Sequence, residues 1–98
     1  MRVDYTPRAK ADLADIWDYT AGRWGVAQAE RYVRAVDAVA WRVAAGTAPT
    51  RDLAEVREGY RCAVSGSHFL ILRDGDDGTL IVVRVLHRRM AIDRHLDP

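Results

Sequence analysis

His87, Arg88 and Arg89 stand together at the end of the apolar run Thr79-Leu-Ile-Val-Val-Arg-Val-Leu-His-Arg-Arg-Met90. An imidazole that titrates near neutrality beside two guanidinium groups has the chemistry for proton transfer at a phosphate, or for gripping an anionic partner. The plainer alternative is a histidine whose ring packs at a strand end and bonds a backbone group, and no carboxylate lies nearby in sequence to orient it as a base. Arg61 and Arg73 face a similar choice between ordering a sheet through Asp or Glu and joining a partner-facing patch. Metal chemistry has little support: His68, His87, His95 and the lone Cys62 lack ligand spacings such as H-x3-H or C-x2-C. Cys62 reads as a small core residue in a strand, and no cofactor is expected.

The elements that must position these groups fit in 98 residues, the length of one compact domain, taken here as 1–98. Apolar residues make up 49% of the chain and charged residues 30%, a balance that excludes a disordered chain. No apolar run approaches the roughly 20 residues of a membrane span. Met1 to Arg8 carries no apolar core of a signal peptide, so a cytoplasmic protein is expected. The net charge of +1 does not argue for direct nucleic-acid binding. Lys10 is the only lysine among 15 basic residues. That arginine bias suits bidentate pairing, although a chain so rich in Ala and Arg also fits GC-rich codons.

Arg2–Tyr5 reads as a short strand. Thr6 then caps a helix with Pro7 in its first turn, and Gly25 ends it. Leu13, Ile16, Trp17, Thr20 and Trp24 recur at helical spacing and predict a buried face with both tryptophans in the core. Asp12, Asp15 and Asp18 are expected to be a solvated face. Val26, Ala29, Val33, Val36, Ala40 and Val43 mark a second helix closed by Gly46, with Glu30 and Arg34 paired outside. Tyr32, Val39 and Trp41 fall partly off that stripe. So short a connection predicts an antiparallel helical hairpin.

A polar loop, Gly46–Glu55, should lead into three strands at Arg57–Ser65, Ser67–Arg73 and Thr79–His87, joined by turns at Ser65-Gly66 and Asp74–Gly78. Tyr60, Cys62 and Val64 should share a face. On the last strand, Ile81, Val83 and Val85 should alternate with Leu80, Val82, Arg84 and Leu86. The tail after Arg88 holds at most one helical turn near Ile92–Leu96. The order is β-α-α-β-β-β, an α+β fold in which the hairpin covers one face of a mainly antiparallel four-stranded sheet. The last strand is its central support, and the other face is partly open.

This order carries a resemblance. Pro7-Arg-Ala-Lys-Ala-Asp-Leu-Ala-Asp-Ile-Trp-Asp-Tyr19, the Arg23-Trp-Gly25 break, Gly59-Tyr-Arg61, Gly66-Ser-His68 and Val83-Arg-Val-Leu-His-Arg-Arg-Met90 together resemble ParE toxins of the RelE/ParE superfamily, from about Tyr5 to Leu96. The chain departs from the family pattern at Gly46-Thr-Ala-Pro-Thr-Arg51, at Leu72 before Arg73, and at Ala91 after Met90. The resemblance implies the toxin of a type II toxin–antitoxin system. Such a toxin binds DNA gyrase and is neutralised by a ParD-like antitoxin in a hetero-oligomer.

The alternative is the sister branch of ribosome-dependent mRNA endoribonucleases, whose chemistry needs a base, an acid and cations around the phosphate. By this resemblance the branch's strand lysines fall on Tyr60 and Cys62, and an arginine of the next strand falls on Phe69. The late aromatic position falls near Arg94, and Arg88 alone matches a cation. A toxin that is not an enzyme is therefore expected. The surfaces implied are Tyr19, Tyr32, Val39, Trp41, Arg61 and Arg73 toward the antitoxin, and His87, Arg88, Arg89 and Met90 toward the target.

Overall fold

In the computed structural model, which describes residues 1–96, two long helices lie on one face of a five-stranded sheet. The elements are β1 (Val3–Tyr5), α1 (Pro7–Trp24), α2 (Val26–Ala44), β2 (Arg51–Asp52), β3 (Tyr60–Ser65), β4 (His68–Asp74), β5 (Leu80–His87) and α3 (Ile92–His95). The sheet order is β1-β5-β4-β3-β2, with β1 parallel to β5 and the other pairs antiparallel. The α+β class and the element order are as expected. The count of four strands is not, because Arg51 and Asp52, read as loop, pair with Cys62 and Arg61 at the sheet edge. Two residues leave no alternation to read. The middle of the sheet is β4, with β5 second from the edge. Asp97 and Pro98, the end of the expected tail, lie outside the described residues.

Thr6 joins the helical layer to the sheet. Its backbone N–H donates to the Val82 carbonyl at 3.0 Å, and its hydroxyl donates to the Val83 carbonyl at 2.7 Å. The same hydroxyl accepts the Ala9 amide at 3.1 Å, so one side chain caps α1 and extends the pairing of β5 beyond β1. At the other end of α1, Gly25 takes φ 93°, a conformation that favours glycine and lets α2 begin at once.

The sheet is apolar on both faces, and each face has its own core. Toward the helices lie Ala9, Ile16, Val36, Val39, Ala40, Val43, Ala63, Leu70, Leu72, Leu80, Val82 and Val85. On the far face, Leu53, Cys62, Ile71, Leu86 and Leu96 pack with Tyr60, Phe69, Val83 and Ile92. The segment after β2 and the short α3 cover this side. Cys62 is thus the small core residue its strand implied.

A register shift between Ile71 and Leu72 breaks the alternation expected along β5. Leu72 pairs with Val82 while Ile71 pairs with Arg84, so Val83 is the extra residue. Leu80, Val82 and Val85 therefore face the helices, and Val83 and Leu86 face away.

Two helix assignments also change. Trp24, expected in the core, is 61% exposed at the last turn of α1, with its ring edge-on to Tyr19 at 6.3 Å and Arg23 over it at 5.0 Å. Val26, the first residue of α2, is likewise exposed. Both sit at the tip of the hairpin, where no strand lies beneath them to complete a core. Trp17 is half-buried.

Candidate functional site

Of the three α1 acids expected on a wet face, Asp15 and Asp18 are exposed and Asp12 is not. Arg84 donates from Nε to Asp12 Oδ2 at 2.8 Å and from a terminal nitrogen to Oδ1 at 3.0 Å. Its other terminal nitrogen donates to the His95 carbonyl at 2.8 Å. The Val85 amide also donates to Asp12, at 2.9 Å. The two side chains are only 10% and 14% exposed. Asp12 thus satisfies a β5 edge amide that β1 is too short to reach, and Arg84 ties α1 to α3. Arg84 is isolated in an apolar strand, and Asp12 lies at helical spacing between Ala9 and Ile16. Together those positions are the signal that sequence reasoning passed over.

Close by, toward the connected tip of the helical hairpin, is a groove of about 700 Å³ between the end of α1, the start of α2, the start of β4 and the end of β5. His68 and His87 pair directly across β4 and β5 and line it, their rings edge to face at 5.3 Å. The Tyr32 hydroxyl lies 2.6 Å from His68 Nδ1, and its oxygen accepts the Ser67 amide at 2.9 Å. His87 Nδ1 accepts the Arg89 amide at 3.1 Å, the backbone-bonded role weighed for it from sequence. Burial foremost, and then the neighbouring His87, hold the His68 imidazole below its ordinary pKa, while Asp12 acts in the opposite direction. Neither imidazole is hydrogen-bonded to a carboxylate among the described residues, so the pair lacks the orienting acid of a nucleophile-activating triad.

A second basin, of about 560 Å³, opens on the opposite side of the sheet edge. Arg51 and Arg88 both reach the Phe69 ring, at 5.8 and 5.9 Å, and Arg42 lines the same basin. None of these three arginines has an ion pair among the described residues.

The residues assigned to partner contact from sequence therefore separate in space. Tyr19 is 62% exposed beside the groove and Trp41 is 39% exposed on the back of α2. Tyr32 is half-buried and hydrogen-bonded, a support for the hairpin turn more than an open apolar surface. Val39 is 8% exposed and belongs to the core, with only its edge in the second basin. Its position off the apparent stripe was misleading, because α2 touches the sheet on more than one row. Arg61 donates to Asp74 at 3.0 Å, and its Nε is buried without an acceptor among the described residues. Arg73 is half-buried opposite Tyr60. Arg88, Arg89 and Met90 are exposed together after β5, with His87 half-buried behind them. Among the described residues no group of three or more His, Cys, Asp or Glu side chains is placed to hold a metal ion.

Comparison with known proteins agrees with this architecture. The family described as ParE toxin of type II toxin-antitoxin system, parDE, matches residues 3–92. Toxin ParE1 of Mycobacterium tuberculosis is 48% identical over 91 residues, covering 93% of each chain. Toxin ParE1 of Caulobacter vibrioides is 42% identical over 91% of each chain. Toxin ParE of Escherichia coli is 35% identical over 89% of this chain and 84% of its own. A solved structure titled as a chromosomal ParDE TA system from P. aeruginosa superposes with a TM-score of 0.73 over 89% of this chain and 95% of that one. At 18% identity, that likeness shows the fold alone.

Proposed function

Since the chain belongs to the ParE toxin family of type II toxin–antitoxin systems, we propose that it arrests growth by binding DNA gyrase and is held inactive by a ParD-like antitoxin. ParE toxins act by binding and not by catalysis, and the side chains fit that mode. The observation that carries the reading is the match to ParE toxins across residues 3–92. As a single domain, the chain acts in the cytoplasm. No helix among the described residues is long and apolar enough to cross a membrane.

The target-facing surface is the exit of β5. Arg88, Arg89 and Met90 project from the end of a strand paired with β4 through His87, and neither arginine has an ion pair among the described residues. A rigid base lowers the entropy lost when such side chains are ordered against a partner. On the antitoxin-facing surface, Tyr19 and Trp41 offer exposed aromatic area, with Arg61 and Arg73 nearer the other end of the sheet. Tyr32 and Val39 contribute through packing behind it.

Purified chain added to a gyrase supercoiling assay is expected to inhibit it, and the double variant Arg88→Glu, Arg89→Glu is expected to lose at least about tenfold in potency with an unchanged fold. Intact supercoiling together with codon-spaced cuts in a translation-linked mRNA assay would instead establish the ribonuclease reading. Full potency in a well-folded double variant would move the target surface elsewhere.

A further inference from the structure

Tyr32, His68 and His87 form a connected polar cluster that the gyrase reading does not use. The Nδ1 of each imidazole is already engaged, one with the Tyr32 hydroxyl and one with the Arg89 amide. A ring nitrogen that accepts an amide N–H bears no proton, so neutral His87 carries its proton on Nε2. The Tyr32 oxygen accepts the Ser67 amide, and its own proton can go to the Ser65 carbonyl at 3.4 Å or to His68 Nδ1 at 2.6 Å. The shorter contact takes it, which leaves neutral His68 also protonated on Nε2. Two ring N–H groups, on residues that line the groove, are thus left without an acceptor among the described residues.

The surroundings suit an anion attached to an apolar group. Ile16, Tyr19 and Trp24 supply an apolar wall. Arg31 lines the same groove, its side chain bonded among the described residues to the neutral Gln28 side chain. The charged and titratable groups around the pair are Asp12, Asp15 and Tyr19 from α1, Arg31 and Tyr32 from α2, and Arg88 and Arg89 after β5. Asp12 is consumed by Arg84 and the Val85 amide. Asp15 and Arg31 offset each other, so each proton added to the histidines makes the groove more cationic.

We propose that this groove docks an acidic peptide segment of a protein partner, seating one carboxylate on the His68 and His87 imidazoles and an adjoining apolar side chain against Ile16, Tyr19 and Trp24, with the contact strengthening as pH falls. The identification of that partner with an antitoxin rests on the toxin–antitoxin reading, whereas the carboxylate seat does not. The sign of the pH effect follows from linkage. Burial foremost, and then the neighbouring His87, disfavour protonation of His68 in the free chain. A bound carboxylate supplies the missing countercharge, so binding takes up a proton and is favoured by acid until the carboxylate itself is protonated.

The test is an NMR titration of the full chain with acetyl-Leu-Glu-Leu-Glu-Leu-amide and with its Gln-for-Glu counterpart. The acidic peptide is expected to shift the His68 and His87 ring signals and to bind at least about fivefold more tightly at pH 6 than at pH 8, with the Gln peptide about tenfold weaker at pH 6. His68→Gln with His87→Gln is expected to remove the pH dependence. His87→Phe alone serves if the double variant does not fold, and is expected to reduce it. Equal binding of both peptides, pH dependence that survives in the folded variant, or no binding at millimolar peptide would overturn the proposal. Peptide binding beside uninhibited gyrase would sink the gyrase reading and leave the groove standing, and the reverse result would do the opposite.

Discussion

Asp12 and Arg84 show how one residue changes meaning when its neighbours are known. Two charges withdrawn from water are tolerated only because each is saturated by hydrogen bonds, and removing one partner leaves the other buried and unpaired. Asp12→Ala is therefore expected to cost about 3–5 kcal/mol, read as a lowered midpoint in urea denaturation. A loss under about 1 kcal/mol would mean that water replaces the carboxylate freely. His68 makes a second prediction at this scale. Its folded-state pKa lies below the ordinary 6.5, so the unfolded chain takes up the proton first as the pH drops. The contribution of neutral His68 is intact above pH 6.5 and is lost progressively below it, toward the lower folded value. Thermal scans from about pH 7.5 to about pH 5 are expected to show a shallower decline for His68→Gln than for the parent chain. Identical slopes would place the acid sensitivity in other groups.

The elements were legible where local chemistry dominates. Thr6, Pro7 and Gly25 delimit α1 by capping and by backbone freedom, and the structure places them in those roles. Thr6 also binds β5, so Thr6→Ala is expected to destabilise by about 1–2 kcal/mol, near the upper end for a cap. Thr6→Ser, which keeps the hydroxyl, should recover most of that loss. The turn joining β3 and β4 is more tightly constrained than its Ser-Gly signature suggests. Gly66 has φ 56°, and a Cβ there would lie 2.8 Å from the Tyr32 hydroxyl oxygen. Gly66→Ala is expected to destabilise by more than about 1 kcal/mol and to displace Tyr32 from His68, visible as a changed His68 titration in NMR. What alternation failed to show in β5 was the register shift at Val83, because an extra residue in a ladder leaves no mark in an all-apolar run.

At the scale of the whole molecule, the chain builds two cores on one sheet and leaves its cations at the strand ends and edge. Net charge of +1 hides this arrangement, since most acids lie elsewhere or are paired. Gyrase inhibition is accordingly expected to weaken several-fold between about 50 mM and about 300 mM salt, as exposed charges are screened. Salt-independent inhibition would point to the aromatic surface instead. The sequence by itself determined the α+β class, the helical hairpin, the three long strands and the family resemblance. These follow from periodicity, turn chemistry and residue order, which are properties of neighbours along the chain. Only the tertiary structure decided that Asp12 is paired with Arg84, that Trp24 is exposed, that Arg51 and Asp52 form an edge strand, and that Tyr32, His68 and His87 meet. Those facts depend on which elements end where in space. A helix that outruns its sheet exposes an aromatic residue whatever its stripe, and a strand longer than its neighbour needs a side chain to cover the amide left behind.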